Sequence, residues 1–590
     1  MPLIDEDGTP AIPEATGQGG HLDRDPDVFD ILVIGAGPCG LAAAARLRED
    51  APSAIFTDEE HRRFHWLRKH GNRVALKQTR TGRVVSSHGE AKKVDCKMAV
   101  LDASDDKWLG RWRRLFSTFG IGHLRSPMLW HVDPRDRDSL LSYGHHQGRE
   151  GELVEIRGCV GKELSKHQRK KRQFSGGKRD ASIDINQRDQ WDYYTPSQSL
   201  FCDHCECVAR HYDLLGDLVH KEEVTGIQYG PLEDISANNS LFTVTTNKTI
   251  RHARTVILAV GPANGPILPN IPSLSFPGQK LSPANVTTPT SMPQACHSMQ
   301  IASFPDPVVQ SRISQPGRQT NVIVVGGGLT SFQLSDLAIR RGVTKVWHMM
   351  RGPLRVKAFD VNLHWMGKYK TLHQAYFHQA DTDEERLSII REARGGGSVT
   401  PAFLKQVKPH IKCGHLQLFE RTIVTGATFE VREDGGGDWK VQTDPPIPDL
   451  PPIDYIYFAT GIQSDFTTLP YLKSMLQDHP INSFGGFPCL NEDLMWKDDV
   501  PLFVTGRLAA LQLGPAAPNI GGARTGAERI ALAVHQVLES QSEAGRPTAK
   551  ISSLDKENTV QGKRRDSGVE LFNYASGTGS KFDSLEEVSY

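Results

Sequence analysis

Glycines at positions 35, 37 and 40 stand where an apolar run, Phe29 to Ile34, gives way to an alanine-rich stretch, Leu41 to Leu47. This spacing suits a pyrophosphate. Gly35 permits a tight turn, Gly37 lets the backbone approach the phosphates, and Gly40 lets helix and strand pack closely. The free N–H groups and the dipole at the helix front then favour an anion. Ala54 to Thr57 reads as the next strand, and Asp58 ends it, 18 residues after Gly40. A carboxylate at that distance accepts hydrogen bonds from a ribose hydroxyl.

The same unit recurs further along. Asn321 to Val325 reads as a strand, and Gly326, Gly328 and Ser331 take the three small-residue positions. Ser331 replaces the third glycine and still permits fairly close packing. Lys345 to Met350 reads as the following strand, and it ends in Arg351 rather than an acid. An arginine pairs with a 2′-phosphate that a carboxylate would repel, so NADPH is expected over NADH. The plainer alternative is that Arg351 faces solvent at a strand end.

Two further strands fit one plan with these units. Thr255 to Gly261 ends in Gly-Pro before the second unit, and Asp454 to Gly461 ends in Ala-Thr-Gly after it. Small residues there, Thr460 and Gly461 among them, let the chain cross between two domains close to a bound cofactor. A strand at Leu502–Thr505, a turn at Gly506 and a helix from about Gly522 then return the chain to the first domain, closing over its cofactor.

The rest of the chain sets limits. Its 590 residues allow two or three domains, and 69 basic residues balance 69 acidic ones, so net charge points to no nucleic-acid partner. Nine cysteines are too few for a disulfide scaffold and fit a reducing compartment. The start, MPLIDEDGTP, lacks the apolar core of a secretory signal. The stretch Ile31 to Ala45 is too short and too broken to span a bilayer. A cytoplasmic protein without a membrane partner is expected, and the sequence is silent on its oligomeric state. The expected divisions are a disordered 1–27, a first domain over 28–270, a connection over 271–320, an inserted domain over 321–450, a return segment over 451–540 and a disordered tail over 541–590. The basic run 166–179 reads as a solvated loop.

Cys202 and Cys205 form a CxxC that raises a thiol mechanism. Yet Phe201, Cys205, Val208 and Tyr212 share one helical face, where cysteine acts as a small buried hydrophobe. No second ligand pair suggests zinc. The insert 359–393 is the least generic stretch. Thr382 before Asp-Glu-Glu is expected to cap a helix whose Leu387, Ile390 and Ala393 face the core. Asn362, His364, Trp365 and Lys368 fall in a loop-like stretch and are candidates to line a substrate pocket, against the plainer reading of surface polar residues.

The pattern resembles a known family. Two dinucleotide folds, one inserted in the other, are shared by flavin-dependent monooxygenases and disulfide reductases, and imply an α/β, glutathione-reductase-like architecture. The stretch Asp454 to Ile462 is similar to the D-x-x-x-(L/F)-A-T-G-Y signature of ornithine and lysine N-hydroxylases, with Ile462 in place of Tyr. Ala295-Cys296-His297-Ser298 resembles the His-Ser step near their nicotinamide site, and residues 123–150 look like another of their segments. The resemblance implies FAD in the first unit and NADPH in the second. It further implies that reduced flavin captures O₂ as a C4a-hydroperoxide and hydroxylates a small nucleophile such as an amine. No catalytic acid, base or metal is nominated. The Baeyer–Villiger signature is missing. A thiol oxidoreductase is the alternative of another mechanism. The oxidative-stress-induced growth inhibitors have a similar layout, which makes a regulatory FAD-binding protein the third.

Overall fold

The computed structural model describes residues 23–49, 62, 66, 74–78, 84–86, 96–157, 159, 187–232, 236–271, 294–366, 370–431, 437–544 and 583–587. Two sheets organise them. The first runs, in spatial order, Met495–Lys497, Val500–Val504, Thr249–Leu258, Asp23–Ile34, Met98–Asp102 and Val219–Lys221. Its central neighbours pair in parallel. An antiparallel hairpin, Val224–Leu232 with Ser236–Thr246, hangs from Thr249–Leu258. The second sheet is parallel throughout, in the order Ala295–His297, Tyr455–Phe458, Asn321–Val325, Lys345–Met350 and Leu416–Glu420.

Parallel strands are covered on both faces, so they read as unbroken apolar runs. Ile31, Leu32 and Val33 are fully buried, as are Val322, Ile323 and Val324. Over the first sheet, helix Pro38–Arg48 lies against the long helix Ile520–Ala544. The buried ion pair Arg46–Glu528 joins them at 2.8 Å.

Four expectations change. The parallel neighbour of the first glycine strand on its acid side is Met98–Asp102; Ala54–Thr57 and Asp58 lie outside the described residues. Met98 to Leu101 are four consecutive buried apolar residues, which a central parallel strand needs. The segment expected to be a connection supplies Ala295–His297 to the second sheet, where backbone pairing with Tyr455–Phe458 outweighs its polar setting. The first strand already begins at Asp23. Within the expected disordered tail, Asp583–Glu587 pairs antiparallel with Val74–Gln78, and the last helix runs on to Ala544. The basic run 166–179 is outside the described residues.

The helical insert follows its sequence pattern and adds a surprise of placement. Thr382 caps helix Asp383–Arg394 by accepting from the Glu385 N–H, and Leu387, Ile390 and Ala393 are buried. Those residues, with Phe359, Val361, Trp365 and Phe377, join the hydrophobic cluster of the first sheet rather than that of the second. The insert thus lends helices Lys370–His378 and Asp383–Arg394 to the core of the first sheet, while helices Leu329–Arg340 and Pro401–Lys412 pack on the second.

Candidate functional site

At the first turn Gly35 has φ +112°, and a Cβ there would run into the Ala259 carbonyl at the end of the neighbouring strand. A Cβ on Gly40 would run into the Gly35 carbonyl. Gly37 differs: no described atom lies within 4 Å of the place its Cβ would take. The space in front of helix Pro38–Arg48 is therefore open at the one glycine where a pyrophosphate needs room, and the turn fits a dinucleotide. The Ala36 N–H donates to Asp102 Oδ2 at 2.9 Å, and the Ala36 carbonyl accepts from the Leu109 N–H at 2.8 Å. Asp102 also accepts from the Ser104 N–H at 2.8 Å. Asp102 ends the strand beside the glycine strand, the position where a ribose-binding carboxylate belongs. Sequence reasoning missed it because a long insertion separates it from Gly40, well beyond the usual spacing of about 20 residues. The run Met98-Ala99-Val100-Leu101-Asp102, apolar and ending in an acid, was the signal available.

The second turn repeats the skeleton. Gly326 has φ +152°, and a Cβ there would run into the Ala459 carbonyl. Ser331 packs where a third glycine would, and its hydroxyl donates to the Gly328 carbonyl at 2.7 Å. Beneath the turn, the buried His348 donates from Nε2 to the Gly326 carbonyl at 2.7 Å, and its Nδ1 lies 3.2 Å from the Ser335 hydroxyl. Burial pushes its pKa down to about 4, so the ring is neutral and its Nε2 keeps the proton. The front of this helix is narrower than the first: the place of a Gly328 Cβ lies 3.9 Å from the Gly397 Cα, an ordinary contact. A Cβ on Gly397 would stand 3.1 Å from the Gly328 Cα and N, so Gly397 packs on the turn. Arg351 is exposed at the end of its strand. The Arg355 guanidinium is nearer the glycine run, 3.4 Å from the place of a Gly396 Cβ.

The two turns share one hinge. The segments leaving Ala259 and Ala459 run antiparallel: the Ile267 N–H donates to the Gly461 carbonyl at 2.9 Å, and the Gln463 N–H to the Gly265 carbonyl at 3.0 Å. The Thr460 hydroxyl closes the pair by donating to the Ile267 carbonyl. His297 is buried beside them and its Nδ1 accepts from the Met299 N–H at 3.2 Å. Burial holds its pKa near 4. Gly506 closes the first site from the other side; a Cβ there would sit 3.1 Å from Cys39 Sγ, near the front of helix Pro38–Arg48.

Two clamps hold the insert to the first domain. Arg125 donates to the carbonyls of Lys357, Ala358 and Ser398 and, at 2.8 Å, to the Ser398 hydroxyl. Asp360 accepts from Arg394 at 2.8 Å and from the Asn519 amide at 2.7 Å, tying the insert to the start of helix Ile520–Ala544. At the clamps lies a cavity of about 260 Å³ lined by Lys357, Phe359, Asn362 and His364 among others. Asn362 and His364 both line this cavity. Trp365 does not join them: it is buried against His373 and Phe377. Lys368 is outside the described residues. Cys202 and Cys205 are buried on helix Gln198–His211, and burial pushes the Cys202 thiol up to about 11 and that of Cys205 well above its ordinary value. Neither is poised as a thiolate nucleophile.

No protein-family model matches the chain, and no curated protein matches its sequence. Solved structures do match its fold. An ornithine N-hydroxylase from Kutzneria sp. 744, in a structure with reduced FAD, NADP⁺ and L-ornithine, aligns with a TM-score of 0.55 at 15% identity, over 86% of this chain and 99% of that one. The cadaverine monooxygenase of desferrioxamine biosynthesis from Erwinia amylovora, bound to FAD, aligns with a TM-score of 0.53 at 12% identity, over 86% and 95%. The chain has the fold of these two-dinucleotide-domain flavin monooxygenases. Among the described residues no helix is long and apolar enough to cross a membrane, and no cluster of His, Cys, Asp or Glu is arranged to hold a metal ion.

Proposed function

We propose that this chain is an FAD- and NADPH-dependent monooxygenase that hydroxylates a small nucleophilic substrate, an amine nitrogen first among the candidates. The observation that carries this reading is the repetition: two small-residue turns, each pressed on the carbonyl of an alanine at the next strand's end, joined through one antiparallel crossing. A fold shared with amine-hydroxylating flavoenzymes supports it.

In this account the front of helix Pro38–Arg48 holds the FAD pyrophosphate over Gly37, and Asp102 accepts from the adenosine ribose. The front of helix Leu329–Arg340 holds NADPH, with Arg351 or Arg355 on the 2′-phosphate. The small residues Thr460, Gly461 and Gly506 keep side chains out of the cofactor's path. Asn362 and His364, with Lys368 close by in the chain, orient the substrate. FAD, when bound, supplies hydride acceptance and oxygen transfer. The chain's own task is to hold the partners in line and to exclude water, which the two clamps serve by fixing the insert to the first domain. Nine free cysteines suit work in the reducing cytoplasm.

The test is turnover of NADPH by the purified protein in air with L-ornithine, L-lysine or cadaverine. Hydroxylated amine formed in step with NADPH consumed supports the reading. Bound FAD with slow NADPH oxidation and no product from any amine would favour a regulatory FAD-binding protein. Cys202→Ser and Cys205→Ser should leave reoxidation of the flavin by O₂ intact. Loss of reoxidation in a folded Ser variant would revive the thiol mechanism.

A further inference from the structure

We propose that the first site grips the phosphates of its dinucleotide between two arginines, Arg111 and Arg507, which stand on opposite sides of the glycine turn; this rests on reading that site as the FAD site. In the sheet, Val500–Val504 and Met98–Asp102 flank the central pair Thr249–Leu258 and Asp23–Ile34. Arg507 follows the first of these outer strands and Arg111 follows the second.

Each arginine belongs to a segment fixed against the turn. Arg111 is the second residue of helix Gly110–Thr118, whose entry is tied down by the Leu109 N–H on the Ala36 carbonyl. Arg507 follows Gly506, which sits against Cys39 in the first turn of helix Pro38–Arg48. Both side chains are half-buried, and neither has a hydrogen bond or an ion pair among the described residues. Asp102 attracts Arg111 without bonding it, its oxygens accepting from the Ala36 and Ser104 N–H groups, and Arg114 repels from the same helix. The charged neighbour of Arg507 is Arg394, a second cation, itself engaged by Asp360. Burial and Arg394 both act to lower the pKa of Arg507, and no carboxylate offsets them.

Among the described residues the other buried guanidiniums are all bonded: that of Arg524 by the Leu129 carbonyl and the His131 ring, and three by carboxylates. Arg46 has Glu528, Arg251 has Glu222 and Arg312 has Asp454, at 2.8, 2.7 and 2.5 Å. Removing a guanidinium from water without a counter-charge is costly, so an unpaired one beside a cofactor turn calls for an anion from outside the chain. A pyrophosphate meets that need twice over. It carries two negative charges, and its oxygens match the guanidinium's fork of donors. The helix front supplies the third positive pole between the two.

The full-length protein, dialysed free of nucleotide, is titrated with FAD as wild type, Arg111→Ala and Arg507→Ala, with Arg→Lys variants beside them. Each Ala substitution should raise the Kd for FAD about tenfold or more and flatten its dependence on salt, with partial recovery by Lys. The melting temperature without FAD should stay level or rise, since an unpaired charge has been removed. The increase in melting temperature on adding FAD should shrink. Wild-type FAD affinity in both Ala variants would overturn the inference alone. Lower stability without FAD, together with unchanged affinity, would assign the arginines to structure and also overturn it. A wild-type protein that binds no FAD would overturn the reading of the site itself.

Discussion

The two glycine turns of this molecule are built on one skeleton and finished differently. In both, the first glycine takes a positive φ and lies on the carbonyl of an alanine, Ala259 in one and Ala459 in the other. No side chain fits there, so that position follows from the fold. The middle position does not. Gly37 looks onto open space, whereas the place of a Gly328 Cβ meets the Gly397 Cα at 3.9 Å. The strand ends differ as well, Asp102 at the first site and Arg351 at the second. In the proposed reading the backbone fixes where a dinucleotide lies, and the middle glycine and the strand-end charge decide which one and how tightly.

The largest effects should come from the skeleton. Gly40→Ala pushes a methyl group into the Gly35 carbonyl and should cost several kcal/mol, in the range of overpacked cores, leaving little soluble protein. Ser331 holds the matching place in the second unit, so Ser331→Ala should cost only about 1 kcal/mol, for its hydrogen bond to Gly328. Denaturant melts of the two variants measure the contrast, and equal losses would break it. Gly37→Val should separate folding from binding. With no described atom within 4 Å, the valine should fold with a near wild-type melting temperature, yet fill the phosphate cradle and yield colourless protein. Full flavin content in that variant would sink the first site.

The buried imidazole beneath the second turn has no counterpart under the first among the described residues. His348 has a folded pKa of about 4, below its value in an unfolded chain near 6.5. Between those values the unfolded chain binds the extra proton, so stability from this residue is complete above about pH 6.5 and is lost as pH falls toward 4. The loss is on the order of 3 kcal/mol. Ring resonances of His348 that titrate near pH 6.5 in the folded protein would contradict this.

At the strand ends the expected effects are smaller. Asp102→Ala removes the acceptor of two backbone N–H groups and should weaken FAD binding by roughly 1–3 kcal/mol. Asp58→Ala, at the position favoured by spacing alone, should leave flavin content unchanged. Arg351→Ala should raise the KM for NADPH roughly 30-fold, about 2 kcal/mol, and leave NADH nearly untouched. Equal weakening of both nucleotides would mean a structural effect, and no weakening of either would transfer the role to Arg355, beside the Gly395–Gly397 run.

The legible parts of the fold were those written in local pattern. Asn321–Val325 and Lys345–Met350 appear with the bounds the sequence suggests, because central parallel strands are unbroken apolar runs. Thr382 caps its helix because the cap is a local contact. What depended on distant partners was hidden. The strand beside the glycine strand, ending in Asp102, lies more than 50 residues beyond it. Trp365 looked like a pocket residue in a loop, but Phe377 and His373 draw it inward. The amphipathic helix Asp383–Arg394 shows an apolar face without naming its partner, which is the core of the first domain. The clamps at Arg125 and Asp360 join residues more than a hundred positions apart, beyond any window of sequence. Asp583–Glu587 is polar and short, and only its pairing with Val74–Gln78 makes it a strand.

The most direct test of the central claim, two cooperating dinucleotide sites, is anaerobic mixing of the flavin-loaded protein with NADPH or NADH while the flavin absorbance is followed. The account predicts bleaching by NADPH, slower bleaching by NADH, and a loss of this preference in Arg351→Ala without loss of flavin. A protein whose bound FAD is reduced by dithionite but by neither nicotinamide nucleotide would contradict it.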